Sequence, residues 1–263
     1  MQPRDKNQQV NMKKLTTLIA IAAVTTSLAQ SNVHVQDNRV AKTFLDNKKT
    51  LDRNYQYQLL KEKPWTDYKA AHPGWYCWFN EENGKPHRAY GSPIPTTGAT
   101  ADEKAMNFIN NKLGDFNIPS SDLILQAVNK TDKMQYVDYY QLYEGHKVLF
   151  SRMTVRLSSA GDVIMWGADV FNDISVNTSA DIDPAGIETF AASGISTPIE
   201  SVVVKPDLVI LPMPDPVYLH KNRYRLVYEV NVHTTETNGI PANWYTLVDA
   251  NTGEVYYRHN EVY

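Results

Sequence analysis

Seven histidines, one cysteine and 29 acidic residues are the side chains with which this 263-residue chain could hold a metal or move a proton. Zinc-dependent peptide hydrolysis needs His-Glu-x-x-His on a helix, so that two imidazoles four residues apart face one ion while the glutamate activates water. His233 is followed by Thr234-Thr235-Glu236, and no other histidine has a partner at that spacing. There is no Gly-x-Ser-x-Gly elbow, no phosphate-cradling glycine loop, and no cysteine and histidine pattern beyond the lone Cys77. For the scattered Asp and Glu residues a solvated charge is the better reading. The chain therefore reads as non-catalytic, with no catalytic residue, no metal ligand and no cofactor of its own.

What the chain does offer is scaffolding. From Tyr136 to Phe171 three runs alternate apolar and polar residues between turn residues, the pattern of an antiparallel meander. Tyr140 and Leu142 alternate with Tyr139, Gln141 and Tyr143, and Met153, Val155 and Leu157 alternate with Arg152, Thr154 and Arg156. Glu144-Gly145 and Ala160-Gly161 supply turns.

Tyr140-Gln141-x-Tyr143-x-Gly145-x-x-Val148-x-x-Ser151, with Gly161 and Gly167 at the next two turns, resembles the propeptide domain of the fungalysin and thermolysin peptidases. Leu226 to Val230, then Trp244-Tyr245-x-Leu247-Val248-Asp249-Ala250-x-Thr252-Gly253-Glu254-Val255, resembles a PepSY domain with its distinctive VDA-x-TGEV hairpin. In this order the two motifs look like the propeptide region of a secreted fungalysin-like zinc metallopeptidase precursor of the Bacteroidetes type. The resemblance covers most of the chain after residue 99. Within the hairpin, Asp249 could bind an ion, but an Asp that fixes the turn through its own backbone is the better reading.

Met12-Lys13-Lys14 precedes the mostly apolar run Leu15 to Ala29, which ends Ser27-Leu28-Ala29, as a secretory signal peptide does. Export with cleavage after Ala29 is expected, and residues 1 to 11 read as an over-extended gene start. The run is too short and too Thr-rich for a membrane span. Removing Arg4, Lys6, Lys13, Lys14 and Asp5 leaves 22 basic against 28 acidic residues, a formal charge of −6. A mildly acidic chain without a basic cluster argues against nucleic acid and anionic membranes as partners. A single cysteine excludes an intrachain disulfide, and its neighbours Trp75, Tyr76, Trp78 and Phe79 favour burial.

In chain order, residues 30 to 98 form an aromatic-rich lead-in, polar up to residue 63, with a hairpin turn at Asn83-Gly84 and then an extended, proline-bearing arm. Thr100-x-x-Glu103 is a capping box in front of the stripe Ala101, Ala105, Phe108, Ile109 and Leu113, predicting a helix that ends at Gly114. A strand at Leu123 to Val128 and the meander complete a unit over 99–176, the propeptide-like domain. Asp183-Pro184 opens a second helix whose face is Ile187, Phe190 and Ala191. It is followed by strands at Ile199 to Lys205, Asp207 to Leu211, Tyr224 to His233, Trp244 to Asp249 and Val255 to Arg258, interrupted by a Pro212-x-Pro214-x-Pro216 loop. That makes 177–263 the PepSY-like domain and the fold class α+β. By resemblance, the two units in tandem are cystatin-like.

The resemblance implies an intramolecular chaperone and inhibitor whose partner is the cognate metallopeptidase domain in cis, with zinc only in that absent domain. A stand-alone secreted protein that inhibits peptidases in trans, or binds a cell-surface ligand, is the alternative. Arg258, His259, Asn260, Glu261, Val262 and Tyr263 follow the last strand with no partner strand, and are the first candidates for peptidase contact. Gln141, Arg152 and Arg156, taken as the polar side of the meander, are the next. Gly145, Gly161, Gly167, Asp249 and Gly253 are the structural positions of the two motifs.

Overall fold

A computed structural model describes residues 51–236 and 239–262. The expected leader and Tyr263 lie outside the described residues. The architecture is α+β: helices α1 (Arg53–Leu59), α2 (Lys63–Ala71), α3 (Ala101–Lys112) and α4 (Pro184–Ala192) accompany twelve strands in one hydrogen-bonded sheet. The strands are β1 (Tyr76–Phe79), β2 (Pro86–Ile94), β3 (Leu123–Lys130), β4 (Met134–Tyr143), β5 (His146–Val148), β6 (Arg152–Ser158), β7 (Val163–Asp169), β8 (Ile199–Val204), β9 (Val209–Pro214), β10 (Asn222–Thr235), β11 (Pro241–Asp249) and β12 (Val255–Asn260). Their order is β1-β2-β7-β6-β4-β5-β9-β10-β11-β12, with β3 also on β4 and β8 also on β10. All pairings are antiparallel except β5 with β9, a parallel join of two residue pairs, Lys147 with Val209 and Val148 with Ile210.

Local chemistry explains the helix starts. Thr100 Oγ1 accepts the Glu103 N–H at 3.1 Å while the Glu103 carboxylate returns to the Thr100 N–H, a complete capping box. Asp183 caps α4 through the Gly186 N–H at 2.8 Å, with Pro184 in the first turn where no N–H is needed. Helices α1 and α2 fall in the polar lead-in. Asp52 Oδ1 accepts the N–H groups of Asn54 and Tyr55, and Trp65 and Tyr68, three apart, are the buried face of α2.

Residues paired across the ladders share a face, so the two sides of the sheet can be followed strand by strand. Val137, Tyr139, Met153, Val155, Leu157 and Trp166 lie on one side, in a core with Leu59, Trp65, Tyr68, Phe108 and Ile109 from α1, α2 and α3. Tyr68 is the hub: its ring meets Trp65, Trp75, Phe116 and Trp166 at centroid distances of 5.5–5.9 Å, and its hydroxyl accepts the Trp166 indole N–H at 2.9 Å. Tyr143 continues the same side of β4 into a second core, where Ile187 and Ala191 of α4 pack on Leu226, Tyr228, Val230 and Val232. All four α-helices of the described residues thus cover one side of the sheet. Among the described residues no helix covers the other side, whose centre, Val209, Leu211, Val227 and Leu247, is packed instead by Leu149, Phe150, Tyr245 and Tyr257.

Several expectations need correcting. The arm after Asn83-Gly84 is strand β2, paired with β1 and β7. Pro212 and Pro214 belong to β9, where they oppose Tyr224 and Asn222, rather than to a loop. Gly167 is inside β7, not at a turn, and is required because the His87 carbonyl oxygen passes 2.1 Å from where its Cβ would stand. Phe190 is 39% exposed and lies over Gly253 instead of facing the core with Ile187. The turns at Glu144-Gly145 (φ 48° and 85°) and Gly161 (φ 92°) stand as expected, and the Lys104 amine reaches the space beside Gly161. Two successive positive φ values are what a two-residue hairpin needs to match strand twist.

Gly145 and Gly253 both require positive φ, but a Cβ at Gly145 meets nothing within 4 Å while one at Gly253 lies 2.6 Å from the Phe190 ring. Gly145→Ala is therefore expected to cost about 1–2 kcal/mol of backbone strain, and Gly253→Ala roughly 1–3 kcal/mol more from overpacking. In urea titrations Phe190→Ala should recover part of the second loss and none of the first. Equal costs at the two glycines would refute the packing role of Phe190.

Candidate functional site

The helix-free side gathers the aromatic and charged groups that could meet a partner. In the first half, Tyr76 and Tyr90 are 60% and 45% exposed and paired across β1 and β2, Arg88 lies over the Trp78 ring at 5.2 Å, and Arg156 lies over Tyr136 at 4.8 Å. Beside them Asp138 Oδ1 accepts from Thr154 Oγ1 (2.7 Å), Arg152 Nη2 (3.0 Å) and Arg156 Nη1 (3.0 Å). Burial alone would raise the Asp138 pKa. The hydrogen bonds from Thr154 and Arg156 and the two guanidinium charges outweigh it and hold the carboxyl below its usual range.

In the second half the same side carries Glu229 and Asn231 of β10, Asn243 and Tyr245 of β11, and Tyr257 and His259 of β12. Tyr245 donates its hydroxyl to Glu229 at 2.6 Å, Lys205 Nζ donates to the same oxygen at 3.0 Å, and the rings of Tyr245, Tyr257 and His259 lie 5.1–6.3 Å apart. Burial pushes His259 below the ordinary histidine range, with Glu261 opposing it. Asn231 Oδ1, Asn243 Oδ1 and His259 Nδ1 are buried without hydrogen-bond partners. An unmet buried polar atom costs about 1–3 kcal/mol.

The predicted contact residues are only partly available. The last strand continues through Arg258, His259 and Asn260, paired with Thr246, Tyr245 and Trp244, so the expected unpartnered tail is instead part of the sheet. An Arg-His-Asn run has no apolar periodicity to announce a strand. Arg258 faces the helical side at 2% exposure, donating to the Ala191 and Ser193 carbonyls at the end of α4 (2.6 and 3.0 Å) and to Thr246 Oγ1 (3.2 Å). Burial lowers its pKa to about 10. Glu261 is tied to Asn243 through backbone and side chain, and Val262 is 40% exposed.

Gln141 is not on the polar side with Arg152 and Arg156. It is 1% exposed on the opposite face, giving Nε2–H to the Phe171 carbonyl (2.6 Å) and accepting the Phe171 N–H (2.8 Å). Arg156 is also buried, with Nη1 held by Asp138 and the Val137 and Val155 carbonyls, leaving Arg152, with its side chain 54% exposed, as the accessible member of that set. Alternation alone cannot say which face a neighbouring element will cover. Trp78, Tyr90, Tyr245 and Tyr257 are not among the expected contact residues; their signal in the sequence is the aromatic enrichment of strands that no helix among the described residues covers on this side.

Asp249 is 2% exposed and serves its own turn. Oδ1 accepts the N–H groups of Asn251 and Thr252 (2.8 and 2.9 Å), and Oδ2 accepts the Tyr256 hydroxyl (2.9 Å) with Arg225 3.8 Å away. Cys77 is half-buried, with its thiol pushed up to about 12 by burial. Among the described residues no three His, Cys, Asp or Glu side chains come together as metal ligands would, and no helix is long and apolar enough to cross a membrane.

No protein-family model matches this chain, and no curated protein sequence matches it. Eight solved chains match in structure. Among them the C-terminal domain of Bacillus megaterium YpeB aligns over 66% of this chain and 71% of its own at 17% identity and a TM-score of 0.31. A likeness of that depth identifies neither a family nor a function.

Two outcomes follow. Because the Asp138 pKa is depressed in the folded state, its stabilisation is complete above the unfolded carboxylate pKa and is lost as pH falls from about 4 through the lowered folded value. Urea midpoints measured between pH 7 and pH 3 should fall less steeply in Asp138→Asn than in the parent, and parallel profiles would exclude the role. Arg258→Met, which removes the buried guanidinium that donates to the Ala191 carbonyl at 2.6 Å, should destabilise by about 1–3 kcal/mol. An unchanged melting curve would show that the α4 terminus does not depend on β12.

Proposed function

We propose that this chain is the propeptide region of a secreted zinc metallopeptidase precursor, an intramolecular chaperone and inhibitor for a catalytic domain that this chain does not contain. The two sequence motifs supply the family resemblance. The observation that carries the binding role is the helix-free sheet side, where Trp78, Tyr76, Tyr90, Tyr245, Tyr257 and His259 stand among Arg88, Arg152, Lys205 and Glu229. Aromatic and arginine side chains dominate the energetics of protein interfaces, the aromatics because they bury much area with little loss of rotamer freedom and arginine because its planar guanidinium makes several directed hydrogen bonds. The two helix-plus-sheet halves would correspond to two cystatin-like units joined through β5 and β9.

The peptidase would be held by the sheet side rather than by the Arg258 to Asn260 segment, which is committed to the fold. Tethering in cis raises the effective concentration into the millimolar range for a short linker, so a weak intrinsic affinity suffices. The test titrates purified chain into a mature thermolysin-type or fungalysin-type zinc peptidase and follows casein hydrolysis, and separately the refolding yield of the denatured peptidase. Inhibition and improved refolding are expected, both weakened by about tenfold or more in Trp78→Ala or Tyr257→Ala. A chain that changes neither hydrolysis nor refolding would overturn the proposal.

A further inference from the structure

Between β9 and β10, Val217, Tyr218 and Leu219 are 76%, 67% and 80% exposed, the only three consecutive large apolar side chains so open among the described residues. Local hydrogen bonds brace the loop that carries them. Asp215 Oδ1 accepts the N–H groups of Val217 and Tyr218 (2.8 and 2.9 Å), the Asp215 N–H donates to the Lys221 carbonyl, and the Lys221 N–H returns to that of Tyr218. Pro214 and Pro216 fix φ on either side of Asp215. At the base, His220 adopts φ 59° and stacks on Tyr55 of α1 at 3.7 Å and 10°, while Asn222 Nδ2 donates to the Glu82 carbonyl at 2.7 Å.

A folded chain gains nothing by holding three apolar side chains in water on a braced turn, and such features mark contact sites. Prior ordering also removes most of the entropy that binding would otherwise cost. We propose that Val217-Tyr218-Leu219 is an insertion finger that enters an apolar concavity of the peptidase domain, an inference that rests on the function proposed above. The finger is convex, so its complement is a pocket or cleft. A lipid surface fits less well: a single myristoyl chain, with a similar number of apolar carbons, holds to a bilayer only marginally without a second signal such as a basic patch. Here Lys221 and Arg223 stand beside Asp215 on a chain that is acidic overall.

The test uses the full chain and the triple variant Val217→Ser, Tyr218→Ser, Leu219→Ser, with Tyr218→Ala alone as a milder second variant. Since these side chains are solvated, melting temperatures should match the parent. Against a mature thermolysin-type zinc peptidase with casein as substrate, the inhibition constant should rise by about a hundredfold in the triple variant and about tenfold in Tyr218→Ala. Neither parent nor variant should pellet with phosphatidylcholine and phosphatidylglycerol vesicles. A triple variant that inhibits as well as the parent removes the finger from the interface while leaving the proposed function standing. A parent that does not inhibit sinks that function and takes the finger's partner with it. Vesicle pelleting that the triple variant abolishes would overturn the proposal in favour of a lipid target.

Discussion

The structure turns on the amide of Gln141. Its two hydrogen bonds to Phe171 copy a strand pairing with side-chain atoms, at the point where the chain leaves the first group of strands for the second. The Gln141 N–H in turn donates to Ser151 Oγ, which donates to the Val148 carbonyl. One buried node thus ties β4, the β5–β6 connection and the segment after β7. Without it the sheet would be spliced by the hairpin of β4 with β5, the two residue pairs of β5 with β9 and the Leu149 N–H bond to the Ile210 carbonyl. The Gln, Gly, Val and Ser of the first motif are the parts of this splice, which accounts for their spacing: Gly145 turns the chain, Val148 enters the second core, and Ser151 bridges back.

With the splice in place, one sheet can serve two helix-covered cores. Alternation on β4 puts Tyr139 and Tyr143 on one side, and α3 and α4 follow them. Among the described residues no helix buries the other side, and its strands carry Tyr, Trp, His and Arg, which tolerate half-burial by pairing apolar bodies with polar tips. Phe150, held at φ 61°, belongs to the same compromise: a bulky residue accepts a strained backbone to cover the apolar centre that the helices leave open.

Features encoded by neighbouring residues were legible in the sequence. The Thr100 and Glu103 box, the Asp183-Pro184 start and the Glu144-Gly145 turn each depend on side chains within a few positions of the backbone they serve. Helices α1 and α2 were harder to see because they are short and mostly polar, although Asp52 as a cap and Pro64 in a first turn were available signals. The side on which a residue faces was not legible. Gln141 and Arg156 look like surface polar residues until the three-dimensional fold brings Phe171 to one and Asp138 to the other. Arg258 is a stronger case, since its partners, Ala191 and Ser193, lie 67 and 65 positions earlier in the chain.

The buried guanidinium of Arg258 also sets a limit on trimming. Proteases need several residues of locally opened, extended chain, and a strand hydrogen-bonded along β11 with a side chain locked beneath a helix end opens only when much of the second core opens with it. Nibbling from the C-terminal side should therefore stall near Asn260, where the ladder ends, and leave a resistant body behind. The boundary between what can be digested and what persists is drawn by one cation and two carbonyl oxygens.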